Sequence, residues 1–347
     1  MEFDSPSQII ERAEFLSPDI MPPKIVGRID QIRKLQQCLR PMEKGNSAIS
    51  AWLHGPPGTG KTAIARRIAE QVCRSHYRIL LYVNCWERPT LYSVLQALCE
   101  QLNVFNADSN DTKVKLTKLR QALKDKVTLI ILDEFDRPMP KERGTIIYQL
   151  LQMPRTGLFC ISPDSKAFCE LDHRIRSKLS PAHIHFPQYT PSEINDILHE
   201  RVRNALTPDT YSDSVLQKVA LLADGDARIA LQILLKAAIN AEEESANEMG
   251  IEHISSDAGT WRRLEKDSKI DSLPQHQQII CRLIKKHRQI SSKELRQLYL
   301  QDCFHRSIEP VVQRTFSKYL QLLARNNFII IESRAVGGPG SIIKTTD

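Results

Sequence analysis

Apolar residues in the first half of the chain follow two spacings, one typical of buried strands and the other of amphipathic helices. Short continuous apolar runs predict buried strands. Between these runs the apolar residues recur every three or four positions, as in Thr90–Leu102, and this spacing predicts helices. Five strands that alternate with helices predict an α/β fold with a mostly parallel, doubly wound sheet. The predicted strands are Ala48–Leu53, Ile79–Asn84, Val127–Leu132, Leu158–Ser162 and His183–Phe186.

From Pro191 onward the strand pattern stops and only helical spacing continues. Pro191 and Glu193 mark a helix start, because proline suits the first helical turn and an acidic side chain favours the positive N-terminal end. Further helices are predicted at Ser212–Ala223 and Asp226–Glu244, and the second of these has little polar face. These helices predict a small, all-helical second domain.

A third pattern occupies the C-terminal part of the chain. Predicted helices at Pro274–His287, Ser292–Cys303 and Val311–Asn326 are followed by two β-rich runs, Phe328–Ser333 and Ser341–Lys344, around a glycine-rich tip. This order is typical of a winged helix, whose third helix enters the DNA major groove while the wing can reach the backbone or minor groove. A winged helix that binds a protein instead stays open as an alternative. The predicted DNA contacts are Arg314, Lys318, Arg334, Gly338 and Lys344.

The segment Gly55-Pro56-Pro57-Gly58-Thr59-Gly60-Lys61-Thr62 is a complete phosphate-binding loop of the form GxxxxGKT. An apolar strand enters it and a helical run leaves it, which is the context that the motif requires. Glycines let backbone N–H groups wrap the phosphates, and the following helix adds its positive N-terminal end. Lys61 is predicted to bind the terminal phosphates, and Thr62 to ligate Mg²⁺. The sequence therefore predicts that the chain binds a nucleoside triphosphate.

Two carboxylates, Asp133 and Glu134, follow the apolar run Val127–Leu132. A buried parallel strand would deliver them to the carboxyl edge of the sheet, where ligands of open α/β sheets bind. Asp133 is predicted to hold Mg²⁺, directly or through water, and Glu134 to orient the attacking water. The acidic pair alone is a weak signal, but within a βαβ series that follows a phosphate-binding loop it indicates an ATPase.

The length and charge of the chain narrow the choice of partners. Its 347 residues are enough for two or three domains. No run of 18 apolar residues and no signal-like N-terminus occurs, so we expect a soluble, cytoplasmic, nucleoid-associated protein without a membrane partner. The net charge is +7, and residues 266–347 hold 14 Lys and Arg against 7 Asp and Glu, which equals the whole excess. A basic C-terminal module on a neutral body indicates a polyanionic partner, although a solvated charged surface has the same composition.

With these motifs in this order, the chain resembles the archaeal members of the origin-recognition/Cdc6 family of AAA+ replication initiators. The resemblance implies an α/β P-loop AAA+ core with a five-stranded parallel sheet, an α-helical lid and a C-terminal winged-helix domain. The expected segments are a peripheral N-terminal arm at 1–20, the AAA+ nucleotide-binding domain at 21–190, the lid at 191–265 and the winged-helix DNA-binding domain at 266–347. The matching motifs are Ile25–Arg28, Gly55–Thr62, Val83–Cys85, Leu132–Asp136, Ile147–Leu151, Leu171–Leu179, Phe186–Tyr189 and Gly225–Arg228.

The resemblance implies an ATP-dependent initiator that binds duplex DNA at a replication origin and helps to recruit the replicative helicase. ATP or ADP and Mg²⁺ are the implied cofactors, and the ATPase would be slow, serving as a switch. Two other classes stay open. One is a regulatory winged-helix ATPase that acts through a protein partner, and the other is a DNA motor such as a branch-migration ATPase.

Further residue roles come from the resemblance alone. Ile25 and Val26 match the adenine-side residues, and Tyr189 matches a nucleotide-binding position. Arg228 matches the sensor-2 arginine, which reaches the γ-phosphate from the lid and so can couple the nucleotide state to the lid angle. Without the family, a surface ion pair would be the ordinary reading of such an arginine.

The resemblance also implies an arginine finger that is given to a neighbouring subunit. Arg174 matches this finger, and Arg176 is the second candidate. An arginine supplied in trans compensates transition-state charge and makes hydrolysis depend on assembly. Self-association, or assembly with paralogues, is therefore implied.

The chain departs from the family at the end of the fourth predicted strand. Family members carry Ile-Ser-Asn-Asp there, and the asparagine, sensor 1, holds the attacking water. Here the run is Ile161-Ser162-Pro163-Asp164. Because the side chain of Pro163 has no hydrogen-bonding group, we expect slow turnover unless Ser162 or Asp164 substitutes for the amide.

Overall fold

A computed structural model of the protein describes residues 9–18, 20–21, 24–75, 77–104, 111–255, 273–287, 289–306, 308–325, 328–332 and 342–345. The chain divides into two compact units, Met1–Ala258 and Gly259–Asp347. The finer boundaries at 20, 190 and 265 remain predictions. Within the described part of the chain, no helix is both long enough and apolar enough to cross a membrane.

The first unit is built on a five-stranded parallel sheet, which confirms the prediction. The strand order is β2-β3-β4-β1-β5, and every neighbouring pair is parallel. The two central strands β3 and β4 are buried along their whole length, as the apolar runs predicted. The strands are β1 (Ala51–His54), β2 (Arg78–Asn84), β3 (Val127–Asp133), β4 (Thr156–Ser162) and β5 (Ala182–His185).

Seven helices in the described part of this core accompany the sheet: α1 (Ile29–Glu43), α2 (Lys61–Val72), α3 (Leu91–Gln101), α4 (Thr112–Ala122), α5 (Pro140–Leu150), α6 (Lys166–Cys169) and α7 (His173–Leu179). Because successive side chains of a strand point to opposite faces, β3 contributes to two buried clusters. Ile130 and Leu132 pack with residues of α3 and α5, whereas Leu129 and Ile131 pack with residues of α1 and α2. The sheet is therefore covered on both faces, and its carboxyl edge stays available for a ligand.

The lid consists of α8 (Pro191–Ala205), α9 (Asp213–Ala223) and α10 (Ala227–Glu243). Helix α8 begins where the sequence predicted. Thr190 accepts from the backbone N–H of Glu193, whose side chain in turn accepts from the backbone N–H of Thr190. This reciprocal capping box satisfies two N–H groups that the first helical turn leaves without partners.

Residues 9–18, which belong to the expected N-terminal arm, pack against the lid. Ile9 and Leu16 are fully buried in the lid core. The backbone N–H groups of Ile9 and Ile10 donate to Oε1 of Glu242 at 3.1 and 2.8 Å. Nη1 of the buried Arg201 donates to the carbonyl oxygen of Phe15 at 2.9 Å. The apolar side chains of this segment are buried against the lid, a contact that the spacing of apolar residues in the sequence does not predict.

The second unit is a winged helix, as predicted. Its described elements are α11 (Gln275–His287), β6 (Gln289–Ser291), α12 (Ser292–His305), α13 (Gln313–Arg325), β7 (Ile329–Glu332) and β8 (Ile342–Thr345). The sheet is antiparallel in the order β6-β8-β7, so the ribbon has a third strand that the sequence analysis missed. Strand β6 is three residues long and lies between two helices, which is too short for an alternation pattern to be visible.

Candidate nucleotide-binding site

The phosphate-binding loop joins β1 to α2 at the carboxyl edge of the sheet. Gly58 has a φ of 69°, and a Cβ atom placed on it would lie 1.8 Å from Oδ1 of Asp226 in the lid. Only glycine fits this position, because the backbone is left-handed and the lid carboxylate approaches it closely. Thr59 is fully buried, and its hydroxyl donates to the carbonyl oxygen of Pro56 at 2.8 Å. A hydrogen bond within the loop and the close approach of the lid therefore fix the conformation of the loop.

Lys61 reaches back over the loop that precedes it. Its Nζ donates to the carbonyl oxygens of Gly55 at 2.6 Å and of Pro56 at 2.8 Å. Burial, and after it the positive charge of Arg228, lower the pKa of Lys61 to about 8, against raising contributions from nearby carboxylates. The ammonium group of Lys61 is poorly solvated and lies near a second cation. A bound phosphate anion would therefore stabilise its charged form.

Thr62 and Asp133 meet at the site although they lie on different elements. The Thr62 hydroxyl donates to Oδ2 of Asp133 at 2.8 Å, and the Tyr82 hydroxyl donates to the same oxygen at 2.9 Å. Oδ1 of Asp133 accepts from the backbone N–H of Glu134 at 2.9 Å. Hydroxyl and carboxylate oxygens are ligands that Mg²⁺ accepts, so the pair fits the predicted metal. Tyr82 was missed by the sequence analysis.

Glu134 lies directly after β3 with a φ of 49°. Partial burial raises the pKa of its carboxyl, and the charges of Asp133 and Asp136 raise it further. Oε2 of Glu134 lies 3.8 Å from Nε of Arg137, and the Glu134 side chain is 44% exposed. A carboxylate with one oxygen near an arginine and access to solvent can accept a proton or a hydrogen bond from water.

Pro163 follows β4 beside the loop, and its carbonyl oxygen accepts from the backbone N–H of Gly55 at 3.2 Å. Both predicted substitutes for the missing amide are engaged elsewhere. The buried Ser162 hydroxyl accepts from Nε1 of Trp52 at 2.9 Å and donates to the carbonyl oxygen of Asp164. Oδ1 of Asp164 accepts from the backbone N–H of Lys166 at 2.8 Å, at the start of α6. The Ser162 hydroxyl and one carboxylate oxygen of Asp164 therefore already have partners at this strand end.

The lid touches the loop through the start of α10. Asp226 accepts from the backbone N–H of Arg228 at 2.9 Å and so caps the helix. The backbone N–H of Ala227 donates to the carbonyl oxygen of Gly58 at 3.2 Å. The Arg228 side chain is 54% exposed, and its Nε lies 3.9 Å from Oδ1 of Asp226. The structure thus brings Arg228 to the same site as Lys61, whose pKa it lowers.

Tyr189 lies between the loop, the lid and the segment that contains Ile25 and Val26. Its backbone N–H donates to the carbonyl oxygen of Gly225 at 3.3 Å, and a Cβ atom on Gly60 would lie 2.8 Å from its hydroxyl. The guanidinium carbon of Arg28 lies 3.8 Å from the centre of the Tyr189 ring. Ile25 packs against the buried cluster of α1 and α2, and Val26 lines a surface cavity beside α8.

The two finger candidates lie on α7 in different environments. Arg174 is exposed, and among the described residues its guanidinium has no hydrogen-bond or ion-pair partner. Arg176 is half-buried, and its Nε is buried without a hydrogen-bond partner. Arg174 is therefore the better placed of the two to reach another molecule.

In the second unit, α13 has one packed face and one exposed polar face. Phe316, Leu320 and Leu323 are buried against the other helices and strands of the winged helix. Lys344 lies on β8, opposite Gln289 and Ile330. The predicted contacts Arg334 and Gly338 lie outside the described residues. The exposed polar residues of α13 are Gln313, Arg314, Ser317, Lys318 and Gln321.

Comparison with known proteins supports the same architecture. Residues 46–162 match the family model "AAA domain", and residues 195–258 match the "Cdc6 AAA+ ATPase-type lid domain". The chain is 34% identical over 301 residues to the ORC1-type DNA replication protein 1 of Halobacterium salinarum, covering 84% of this chain and 95% of that protein. This chain belongs to the ORC1-type DNA replication protein family. The predicted resemblance is therefore confirmed.

Two solved structures of ORC proteins from Aeropyrum pernix resemble the chain over 97% of its length. The ORC2 protein, in ADPNP–ADP complexes, has a TM-score of 0.82 at 19% identity over 94% of its own chain, and this likeness concerns the fold alone. The ORC1 protein, in complex with DNA, has a TM-score of 0.67 at 26% identity over 93% of its own chain.

Proposed function

We propose that this ORC1-type protein is an ATP-switched initiator, which binds duplex DNA at a replication origin and helps to recruit the replicative helicase. The observation that carries the proposal is the hydrogen bond from Ala227 in the lid to Gly58 in the phosphate-binding loop. Through this contact, a phosphate that moves the loop also acts on the lid. Family membership, together with a winged helix in the same chain, supports replication as the process that the switch controls.

ATP or ADP is the proposed nucleotide. Backbone N–H groups from Gly55 to Gly60 would wrap the phosphates and Lys61 would neutralise them. Thr62 and Asp133 would hold Mg²⁺, which neutralises phosphate charge when it is bound. The residues Ile25, Val26, Tyr189 and Arg228 would complete the nucleotide site, the first two on the adenine side. The nucleotide complexes of the similar ORC2 protein support this assignment.

Hydrolysis is proposed to be slow. Glu134 would orient the attacking water, but Pro163 offers no side-chain hydrogen bond on the neighbouring strand. Arg228 would contact the γ-phosphate from the lid. Arg174 would act on the nucleotide of a second subunit or paralogue, as its exposed and unpartnered position allows.

DNA binding is proposed to reside in the winged helix. The exposed face of α13 presents Arg314 and Lys318, whose charges suit phosphates, beside amide and hydroxyl groups that suit base edges. Lys344 on β8 would add a backbone contact, and Arg334 and Gly338 remain predicted wing contacts. The DNA complex of the similar ORC1 protein supports this assignment.

A genome-wide footprint of the protein, paired with a map of replication start points, tests the proposal. We expect the wild-type protein to occupy one or a few sites that coincide with start points, and helicase subunits to co-purify with it there. Lys61→Ala should alter helicase recovery more than site occupancy, because it removes the nucleotide switch and leaves the winged helix intact. Occupancy unrelated to replication starts would overturn the initiator proposal and favour a regulatory ATPase or a motor.

A further inference from the structure

Arg137, three residues after Glu134, forms ion pairs with the last two of the three carboxylates in the acidic segment, those of Glu134 and Asp136. Its Nε lies 3.8 Å from Oε2 of Glu134 and 3.7 Å from Oδ2 of Asp136. The backbone N–H of Arg137 donates to the carbonyl oxygen of Glu134 at 3.0 Å, so a tight turn holds the two residues together. Among the residues that the structure describes, Arg137 is the one ion-pair partner of the Glu134 carboxylate.

The flat face of the Arg137 guanidinium stacks on the indole ring of Trp86. The guanidinium carbon lies 3.8 Å from the centre of the indole ring, which is a close stacking distance. Trp86 itself is 60% exposed, so the ring is not there to fill a core. Its position is fixed by the turn after β2, where its backbone N–H donates to Oδ1 of Asn84 at 3.0 Å.

This turn is also tied to the strand that carries the acids. Asn84 pairs with Asp133 in the sheet, and the backbone N–H of Cys85 donates to the carbonyl oxygen of Asp133 at 2.8 Å. The indole, the guanidinium and the Glu134 carboxylate therefore form a chain of contacts anchored at both ends to the same pair of strands. Two ion pairs and a stacking contact therefore act on the Arg137 side chain, where an ordinary surface ion pair is a single contact.

Glu134 needs a neighbouring group that holds its carboxylate in one orientation. The carboxylates of Asp133, Glu134 and Asp136 repel one another, and this repulsion disfavours a Glu134 carboxylate that stays close to its neighbours without a cationic partner. Pro163, which follows the neighbouring strand β4, has no polar side-chain atom to hold either Glu134 or a water molecule. The positive charge of Arg137 attracts the Glu134 carboxylate, which the residue after β4 cannot do.

We propose that Arg137 is a positioning residue for ATP hydrolysis and that Trp86 holds it in place. Arg137 engages Oε2 of Glu134, and Oε1 is left to accept a hydrogen bond from the attacking water. The inference rests on the proposed ATPase function and assigns a role to two residues outside the phosphate-binding and acidic motifs. A base whose orientation is fixed by a third group is a general design of catalytic sites.

Single-turnover hydrolysis and ATP affinity, measured on the full-length chain, test the proposal. Arg137→Ala should lower the single-turnover rate about tenfold, because a displaced base lowers the rate without changing the phosphate contacts. The Kd for ATP should stay within about twofold of the wild-type value. Arg137→Lys keeps the charge and should recover part of the rate, which a purely steric role would not do.

The indole and a matched surface arginine provide the controls. Trp86→Ala should lower the rate about threefold, the size expected for an exposed cation–π contact, and Trp86→Phe should retain most of the activity. Arg33 forms an i,i+3 ion pair with Asp30 at 3.5 Å on α1, remote from the acidic motif in sequence. Arg33→Ala should therefore leave both rate and affinity unchanged.

The possible results distinguish a failure of the positioning role from a failure of the ATPase function on which it rests. A rate for Arg137→Ala equal to or above that of the wild type, with Glu134→Gln inactive, would overturn the positioning role and leave the ATPase intact. An equal loss of rate in Arg137→Ala and Arg137→Lys would also overturn it. A wild-type rate no higher than that of Glu134→Gln would remove the ATPase itself, and the positioning role with it.

Discussion

The Thr62 hydroxyl lies 2.8 Å from Oδ2 of Asp133, although 71 positions separate the two residues in the chain. Strand order explains the contact, because β1 and β3 flank β4 and bring their carboxyl ends to the same edge. A threonine in the first turn of a helix and an aspartate at the end of a strand thus meet, and both carry oxygen atoms of the kind that bind Mg²⁺.

Lys61→Ala should abolish the stabilisation of the protein by ATP. At an ATP concentration 100-fold above Kd, the linked stabilisation is about 2.7 kcal/mol, which a melting curve resolves easily. Without the lysine charge the phosphates lose their main cation, and the melting temperature should no longer rise with ATP. Lys113→Ala, at an exposed lysine of α4, is the control and should keep the full shift. A normal ATP-dependent shift in Lys61→Ala would contradict the assignment.

ATP affinity should depend on pH above about 8, because burial lowers the pKa of Lys61 to about 8. Below that pH the lysine is already protonated, and affinity should be constant. Above it the nucleotide-free protein loses the proton, and phosphate binding must take the proton up again. Affinity should then fall towards about tenfold per pH unit. Isothermal titration in buffers of different ionisation enthalpy measures the uptake. Lys61→Arg should show no such pH dependence, and a flat wild-type profile from pH 7 to 9.5 would refute the prediction.

Pro163→Asn should accelerate hydrolysis. One polar contact that acts in the transition state contributes about 2–4 kcal/mol, so the restored amide should raise the single-turnover rate by at least about tenfold. Affinity for ATP should change little, since Lys61 and Thr62 are untouched. Pro154→Asn, placed just before the opposite end of the same strand, is the matched control and should leave the rate unchanged. If the wild-type rate already equals that of relatives with asparagine, another group holds the water.

Changing Arg314 and Lys318 to Ala together should weaken duplex binding by about 1–3 kcal/mol, and each change should lower the salt slope by about one. Both residues lie on the exposed face of α13 and would release counterions from DNA when they bind phosphates. Lys286→Ala, at an exposed lysine of α11, should leave affinity and slope close to wild type. Fluorescence anisotropy at several salt concentrations measures both quantities. Unchanged binding in the double variant would place the DNA contacts elsewhere.

Much of the fold could be predicted from the sequence because its signals are local. The strand-loop-helix context fixed the phosphate-binding loop, and the apolar run before Asp133 fixed the acidic strand. Both lie at the edge of the sheet that the alternation of strands and helices implied. Helix starts such as Thr190–Glu193 also follow from neighbouring residues alone.

The parts that could not be predicted depend on contacts between distant segments. Tyr82 binds Asp133 because β2 lies beside β3, and a lone tyrosine on a strand carries no signal of that partner. Trp86 and Arg137 lie 51 positions apart in the sequence, and they stack because the strands that precede them are neighbours in the sheet. The packing of residues 9–18 on the lid belongs to the same class, since nothing near Ile9 in the sequence indicates Glu242.

The packing of residues 9–18 on the lid sets an order of events during synthesis. Ile9 is synthesised before Glu242, which binds its backbone and is added 233 positions later. At typical elongation rates this interval lasts about 10–50 s, during which Ile9 and Leu16 have no lid to cover them. A nascent chain at this stage presents these two side chains to chaperones. For the same reason, a recombinant fragment that stops before α8 should begin after residue 18.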